Sequence, residues 1–124
     1  MNEVVVDASA VLALLRHERG HDRVEAVLDR ATISAVNLAE VLLVLTRKGA
    51  SIADAHDALD RLRLTVAPFD AAQAWRVGGT TGPSTLSLGD RACLALAASR
   101  RAPALTADRA WTKLNLDVEV ELLR

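Results

Sequence analysis

The sequence has one cysteine, Cys93, so no intrachain disulfide holds the fold together and nothing in its cysteine usage calls for secretion. In the middle of a predicted helix, that thiol reads as a small buried hydrophobe. Aromatic residues make up only 2% of the 124 residues, namely Phe69, Trp75 and Trp111. This argues against a surface that holds single-stranded bases mainly by stacking. A net charge of −1 and a pI near 6.3 exclude the global basic field that drives promiscuous nucleic-acid binding. With three prolines and no visible repeat period, there is no sign of a low-complexity or disordered tract. The apolar run from Ala8 to Leu15 has no basic region before it and is far below membrane-spanning length, so the chain is expected to be cytoplasmic.

Hydrophobic residues form 51% of the chain, enough for one domain with a real core and too little length for two. The β-branched run Glu3-Val4-Val5-Val6-Asp7 reads as a buried strand whose carboxyl end exposes Asp7. Helices are expected over Ala8 to Arg16 and Gly20 to Arg30, then a short strand at Ala31-Thr32-Ile33-Ser34 leads to Asn37, a possible N-cap. The helix from Leu38 to Lys48 is apolar on nearly every side, with Glu40 in its first turn, and must be buried all round or covered by a partner. Ser51 caps a further helix to about Arg63, whose Asp54, Asp57 and Asp60 form a solvated face. A third strand at Leu64 to Ala67, a helix capped by Asp70, and a flexible loop from Gly78 to Ser84 follow. That loop runs into the most regular helix candidate, from near Gly89 to Arg101, with Asp90 in its first turn. A fourth strand, Ala102 to Asp108, also finishes on an acid, and Val118 to Leu122 alternates as an edge strand. Strands alternating with helices predict an α/β fold with a central parallel sheet of four to five strands and helices on both faces.

In such a sheet, ligands bind beyond the carboxyl ends of the strands. Asp7 and Asp108 end strands there, and Glu40 and Asp90 sit in the first turns of helices that reach the same rim. Four carboxylates converging in a partly desolvated pocket would repel one another by several kcal/mol, a repulsion that a cation relieves. Oxygen donors without histidine or cysteine favour Mg²⁺ or Mn²⁺ over Zn²⁺.

The segments Val4-Val5-Val6-Asp7-Ala8-Ser9, Asn37-Leu38-Ala39-Glu40-Val41, Leu86-Ser87-Leu88-Gly89-Asp90-Arg91 and Leu105-Thr106-Ala107-Asp108 resemble, in order and spacing, the acidic motifs of PIN-domain ribonucleases. The resemblance is strongest to the VapC toxins of bacterial toxin-antitoxin pairs. It implies a single PIN-like three-layer α/β/α domain over residues 1–124 that works as a Mg²⁺- or Mn²⁺-dependent endoribonuclease. It also implies a homodimer, neutralised by a cognate VapB-like antitoxin lying across the active site, with RNA as substrate. By position, Asp7, Glu40, Asp90 and Asp108 would hold metal and activate water, while Ser9, Arg91 and Thr106 would support them.

Other readings fit less well. His17 and His21 are spaced as two ligands on one helical face but flank Glu18, Arg19 and Gly20 in a loop, so they read as surface residues. A receiver domain would need an acid pair near the first strand and a late lysine, and a haloacid-dehalogenase-like phosphatase would need two aspartates one residue apart. Asp7-Ala8-Ser9 supplies one. A catalytically idle PIN-like binding module would be marked by loss of an acid, and all four are present. For the helix pair spanning Leu38 to Leu62, the readings are ordinary core or a groove for an antitoxin or dimer mate; the groove predicts exposed leucines.

Overall fold

A computed structural model describes residues 2–79 and 84–124. The central part of the loop expected between Gly78 and Ser84 lies outside the described residues. Five strands form one sheet, all neighbours parallel, in the order β3-β2-β1-β4-β5. They are β1 (Val4–Val6), β2 (Ala31–Ser34), β3 (Thr65–Ala67), β4 (Ala104–Thr106) and β5 (Val120–Leu122). The helices are α1 (Ala8–Leu15), α2 (His21–Val27), α3 (Ala35–Arg47), α4 (Ile52–Asp60), α5 (Ala71–Gly78) and α6 (Leu88–Arg100). A 3-10 helix, Arg109–Lys113, follows β4.

Alternation along β1 divides the core in two. Val4 and Val6 pack with Ala10 and Val11 of α1, Val24 of α2, Val41 of α3 and Leu59 of α4. Val5 faces the other way, onto Cys93, Leu94, Leu96 and Ala97 of α6 and onto Trp111. The sheet therefore has α1 to α4 on one face and α6 on the other, with α5 packed against α6. This is the expected three-layer α/β/α architecture with a five-stranded parallel sheet.

Several boundaries differ from the sequence expectation. Ser34, not Asn37, caps α3: its hydroxyl accepts from the backbone N–H of Val36, and the helix starts at Ala35. Asn37 and Glu40 therefore sit deeper in the helix than expected, and Glu40 lies in its second turn. A short strand running straight into a helix leaves no loop to mark the boundary, and Ser34 serves both as strand end and as cap. Asp7 is buried, 6% exposed, because its carboxylate turns back to cap α1 by accepting from Ala10 N–H. The helix with Asp90 is less amphipathic than its sequence suggested. Residues Ala92 to Ala97 are all buried, since α6 lies against the sheet and under α5. Strand β4 stops at Thr106, two residues before Asp108, and α4 ends at Asp60.

A rim of acids at the switch in strand order

Strand order reverses beside β1, with β2 on one side and β4 on the other. Open parallel sheets form their ligand crevice at such a point, beyond the carboxyl ends of the strands. Helix α1 follows β1 directly, α3 follows β2 and the 3-10 helix follows β4, so all three begin at that rim. Helix α6 brings its first turn to the same place, because the carbonyl of Gly89 accepts a hydrogen bond from Asn37 of α3 at 3.0 Å.

Asp7 is the most enclosed of the four predicted acids. The hydroxyls of Ser9 and Thr106 each donate to its carboxylate at 2.6 Å, and Ala10 N–H donates at 2.9 Å. Both hydroxyls act as relays. Ser9 Oγ accepts from Ala107 N–H and Thr106 Oγ1 from Asp108 N–H, each at 3.0 Å. The two side chains expected to support the site therefore fasten the start of α1 to the end of β4 through Asp7. Burial raises the Asp7 carboxyl above its ordinary value, the three hydrogen bonds oppose that rise, and the negative charge of Asp90 adds to it.

Asp90 is the third residue of α6 and completes a reciprocal cap. Ser87 Oγ accepts from Asp90 N–H at 3.1 Å, and the Asp90 carboxylate accepts from Ser87 N–H at 3.0 Å. Glu40 accepts from Asn37 Nδ2 at 2.8 Å, and its carboxylate lies directly over Gly89, where any Cβ would collide with it. Beneath the acids lies Cys93, whose thiol is pushed well above its usual range by burial and then by the charges of Asp7, Asp90 and Glu40. The charges of Asp7, Asp90 and Glu40 thus all bear on one buried atom at the rim.

Asp108 stands apart from the three. It is exposed, its carboxylate accepts from Ala110 N–H within its own 3-10 turn, and it joins the rest through its backbone bond to Thr106. Arg91 is half-buried, and its Nε donates to the Leu86 carbonyl at 3.3 Å. Elsewhere, Glu3 pairs with Arg100, and Glu18 with Arg16 and Arg124. Among the described residues, no three His, Cys, Asp or Glu side chains stand close enough to enclose an ion. His17, in the loop after α1, and His21, the first residue of α2, hold their ring centroids 4.6 Å apart at a tilt of 55°, at the far end of α1 from Asp7.

Two features of the site escaped the sequence reading. Asn37 links Glu40 to α6, and its one signal was a polar residue three places before an acid in an otherwise apolar helix. The other is the close approach of the Glu40 carboxylate to Gly89, visible only once α3 and α6 are packed.

The PIN domain family matches residues 4–115, and the chain belongs to that family. Three solved structures share the fold across nearly the whole chain. DNA-bound VapBC from Salmonella typhimurium aligns with a TM-score of 0.70 and 18% identity, covering 100% of both chains. VapC20 from Mycobacterium tuberculosis, described as a sarcin-ricin loop cleaving toxin, gives 0.70 and 18%, covering 90% of this chain and 94% of its own. VapBC-5 from Mycobacterium tuberculosis gives 0.62 and 25%, covering 100% and 99%. No curated protein sequence matches the chain.

Proposed function

We propose that this protein is a metal-dependent endoribonuclease, the toxin of a toxin-antitoxin pair. The observation that carries this reading is the set of carboxylates at the switch in strand order of a PIN domain: Asp7 at the start of α1, within reach of the charge of Asp90, and Glu40 lying against the first turn of α6 that carries Asp90. The donor set is oxygen only, since Cys93 stays a buried thiol below it. Mg²⁺ keeps several waters and takes one or two protein carboxylates directly, so an open rim suits Mg²⁺ or Mn²⁺ without a closed cage. Such an ion, when bound, supplies a water of lowered pKa and steadies the leaving oxygen of a phosphodiester.

The residues divide the work. Asp7, held by Ser9 and Thr106, Glu40 and Asp90 would hold the ion, and Ser9 and Thr106 keep the Asp7 carboxylate in one orientation. Asp108, exposed at the edge, would accept a proton from the attacking water. Arg91 follows Asp90 and would meet RNA phosphate beside the acids.

In this reading the partner is a VapB-like antitoxin. The supporting observations are the VapBC complexes among its structural neighbours and an open groove between α3, α4 and β3. Leu38, Leu42, Leu59, Leu64 and Val66 line that groove, about 190 Å³ in volume, with His56, Asp60 and Arg63 at its margin. Of the exposed leucines expected of this helix pair, Leu43 is 51% exposed but lies outside the groove, whose own leucines are partly or fully buried. An amphipathic antitoxin helix fits a groove of this kind. A homodimer and a cytoplasmic location complete the proposal, and among the described residues no helix is long and apolar enough to cross a membrane.

The test is to induce the chain and its Asp90→Asn variant separately in a bacterial host and map new RNA 5′ ends. Asparagine at 90 keeps an acceptor for Ser87 N–H, so the fold is retained. New ends at a few sites with the parent alone are expected. The same ends with both proteins would refute the assigned role of Asp90, and their absence together with a failure of purified protein to bind Mn²⁺ would favour an idle PIN-like module.

A further inference from the structure

Asn37 is 1% exposed in the second half of the first turn of α3. Its amide nitrogen donates twice, to Glu40 Oε1 at 2.8 Å and to the Gly89 carbonyl at 3.0 Å. Both acceptors are oxygens without a proton to give, so the amide must present its NH₂ to them. That choice leaves Asn37 Oδ1 buried with no partner among the described residues, which a residue kept only for stability would avoid. What the arrangement secures is geometry. Gly89 precedes Asp90, so one side chain ties the Glu40 carboxylate to the turn that carries Asp90. Glycine at 89 lets that carboxylate approach the α6 backbone directly.

We infer that Asn37 is a positioning residue that sets the Glu40 carboxylate against the first turn of α6 and so fixes its place relative to Asp90 for metal binding. The inference rests on the reading of Glu40 and Asp90 as metal-holding acids. Asn37 acts through Glu40, since it touches Glu40 and the helix but none of the other acids.

The experiment is a double-mutant cycle on the purified full chain, with Mn²⁺ affinity measured by calorimetry and melting temperature recorded for each metal-free variant. Asn37→Ala should weaken Mn²⁺ binding about 10-fold, the usual scale for a residue that orients a ligand. In the Glu40→Gln background the same change should have no further effect, because the carboxylate it orients is already gone. Equal weakening in both backgrounds would mean a general structural role and would overturn the inference. So would an unchanged affinity in Asn37→Ala when Glu40→Gln binds more weakly. An unchanged affinity in Glu40→Gln would instead overturn the metal reading, and this inference with it. If Asn37→Ala does not fold, Asn37→Ser enters the same cycle, since it keeps a polar group while losing the reach to Glu40 and Gly89.

Discussion

Thr106→Val tests the enclosure of Asp7 most directly. Valine matches threonine in shape, so no cavity opens, but the hydroxyl that donates to Asp7 at 2.6 Å and accepts from Asp108 N–H disappears. A hydrogen bond to a charged group contributes about 1.5–3 kcal/mol, and the freed Asp108 N–H can turn to water because Asp108 is exposed. The expected loss is therefore about 2 kcal/mol at neutral pH, or roughly 5–8 °C in melting temperature for a chain of this size. The loss should depend on pH. Burial already raises the folded pKa of Asp7 above its ordinary 3.8, so the stability this group contributes is complete below that value and falls as pH rises through the folded pKa. Removing a donor to the carboxylate raises the folded pKa further, so the variant loses more at high pH than at low pH. Each added pKa unit corresponds to about 1.4 kcal/mol of extra loss. Urea denaturation of metal-free protein at pH 4 and pH 7.5 measures the difference. An equal loss at both values would mean that Thr106 does not support an ionised Asp7, and the account of the site would fail with it.

Asp7→Asn keeps the acceptor that caps α1 and removes a buried charge, so metal-free protein should melt higher at neutral pH, by about 1 kcal/mol of stability, while RNA cleavage is lost. Saturating Mn²⁺ at about 100 times its dissociation constant should stabilise the parent by about 2.7 kcal/mol and leave Asp7→Asn unmoved, as read by melts with and without chelator. Ser87→Ala breaks the reciprocal cap of α6 and should cost about 1 kcal/mol, visible as a lower urea midpoint at unchanged slope. Gly89→Ala inserts a methyl where the Glu40 carboxylate stands, and that carboxylate is the end of a flexible side chain. The melt should therefore shift little while Mn²⁺ affinity drops; unimpaired binding would show that Glu40 is not held there. Val66→Glu changes an exposed position in the α3–α4 groove and should leave cleavage intact while weakening neutralisation by the antitoxin in a co-expression growth assay.

The order of elements was legible because each strand is a short β-branched or small-residue run bounded by a capping residue, as at Val4-Val5-Val6-Asp7 and Ala31 to Ser34. The four acids stood out because each is the one acid of its segment, at the end of a strand or near the start of a helix. What sequence could not supply was burial and partner choice. Asp7 was expected at an exposed strand end, but the same carboxylate that ends β1 also caps α1, and capping draws it inward. Asn37 was read as a cap because asparagine favours that role, while Ser34 three residues earlier took it and left the amide free for a contact 52 residues away. The all-round burial of Ala92 to Ala97 depends on α5 lying over α6, which no periodicity within α6 encodes.

The bond between Asp7 and Thr106 joins residues 99 positions apart. During synthesis at about 5–20 residues per second, the first acid would emerge some 5–20 seconds before the hydroxyl that orients it. Strand β1 would meanwhile have β2 on one side and nothing on the other until β4 arrives. A nascent chain therefore carries Asp7 without its frame until Thr106 has emerged, and the enclosure of that carboxylate is among the later contacts of the domain to form. A chain stopped anywhere before β4 would keep Asp7 but lack the hydroxyl that holds it.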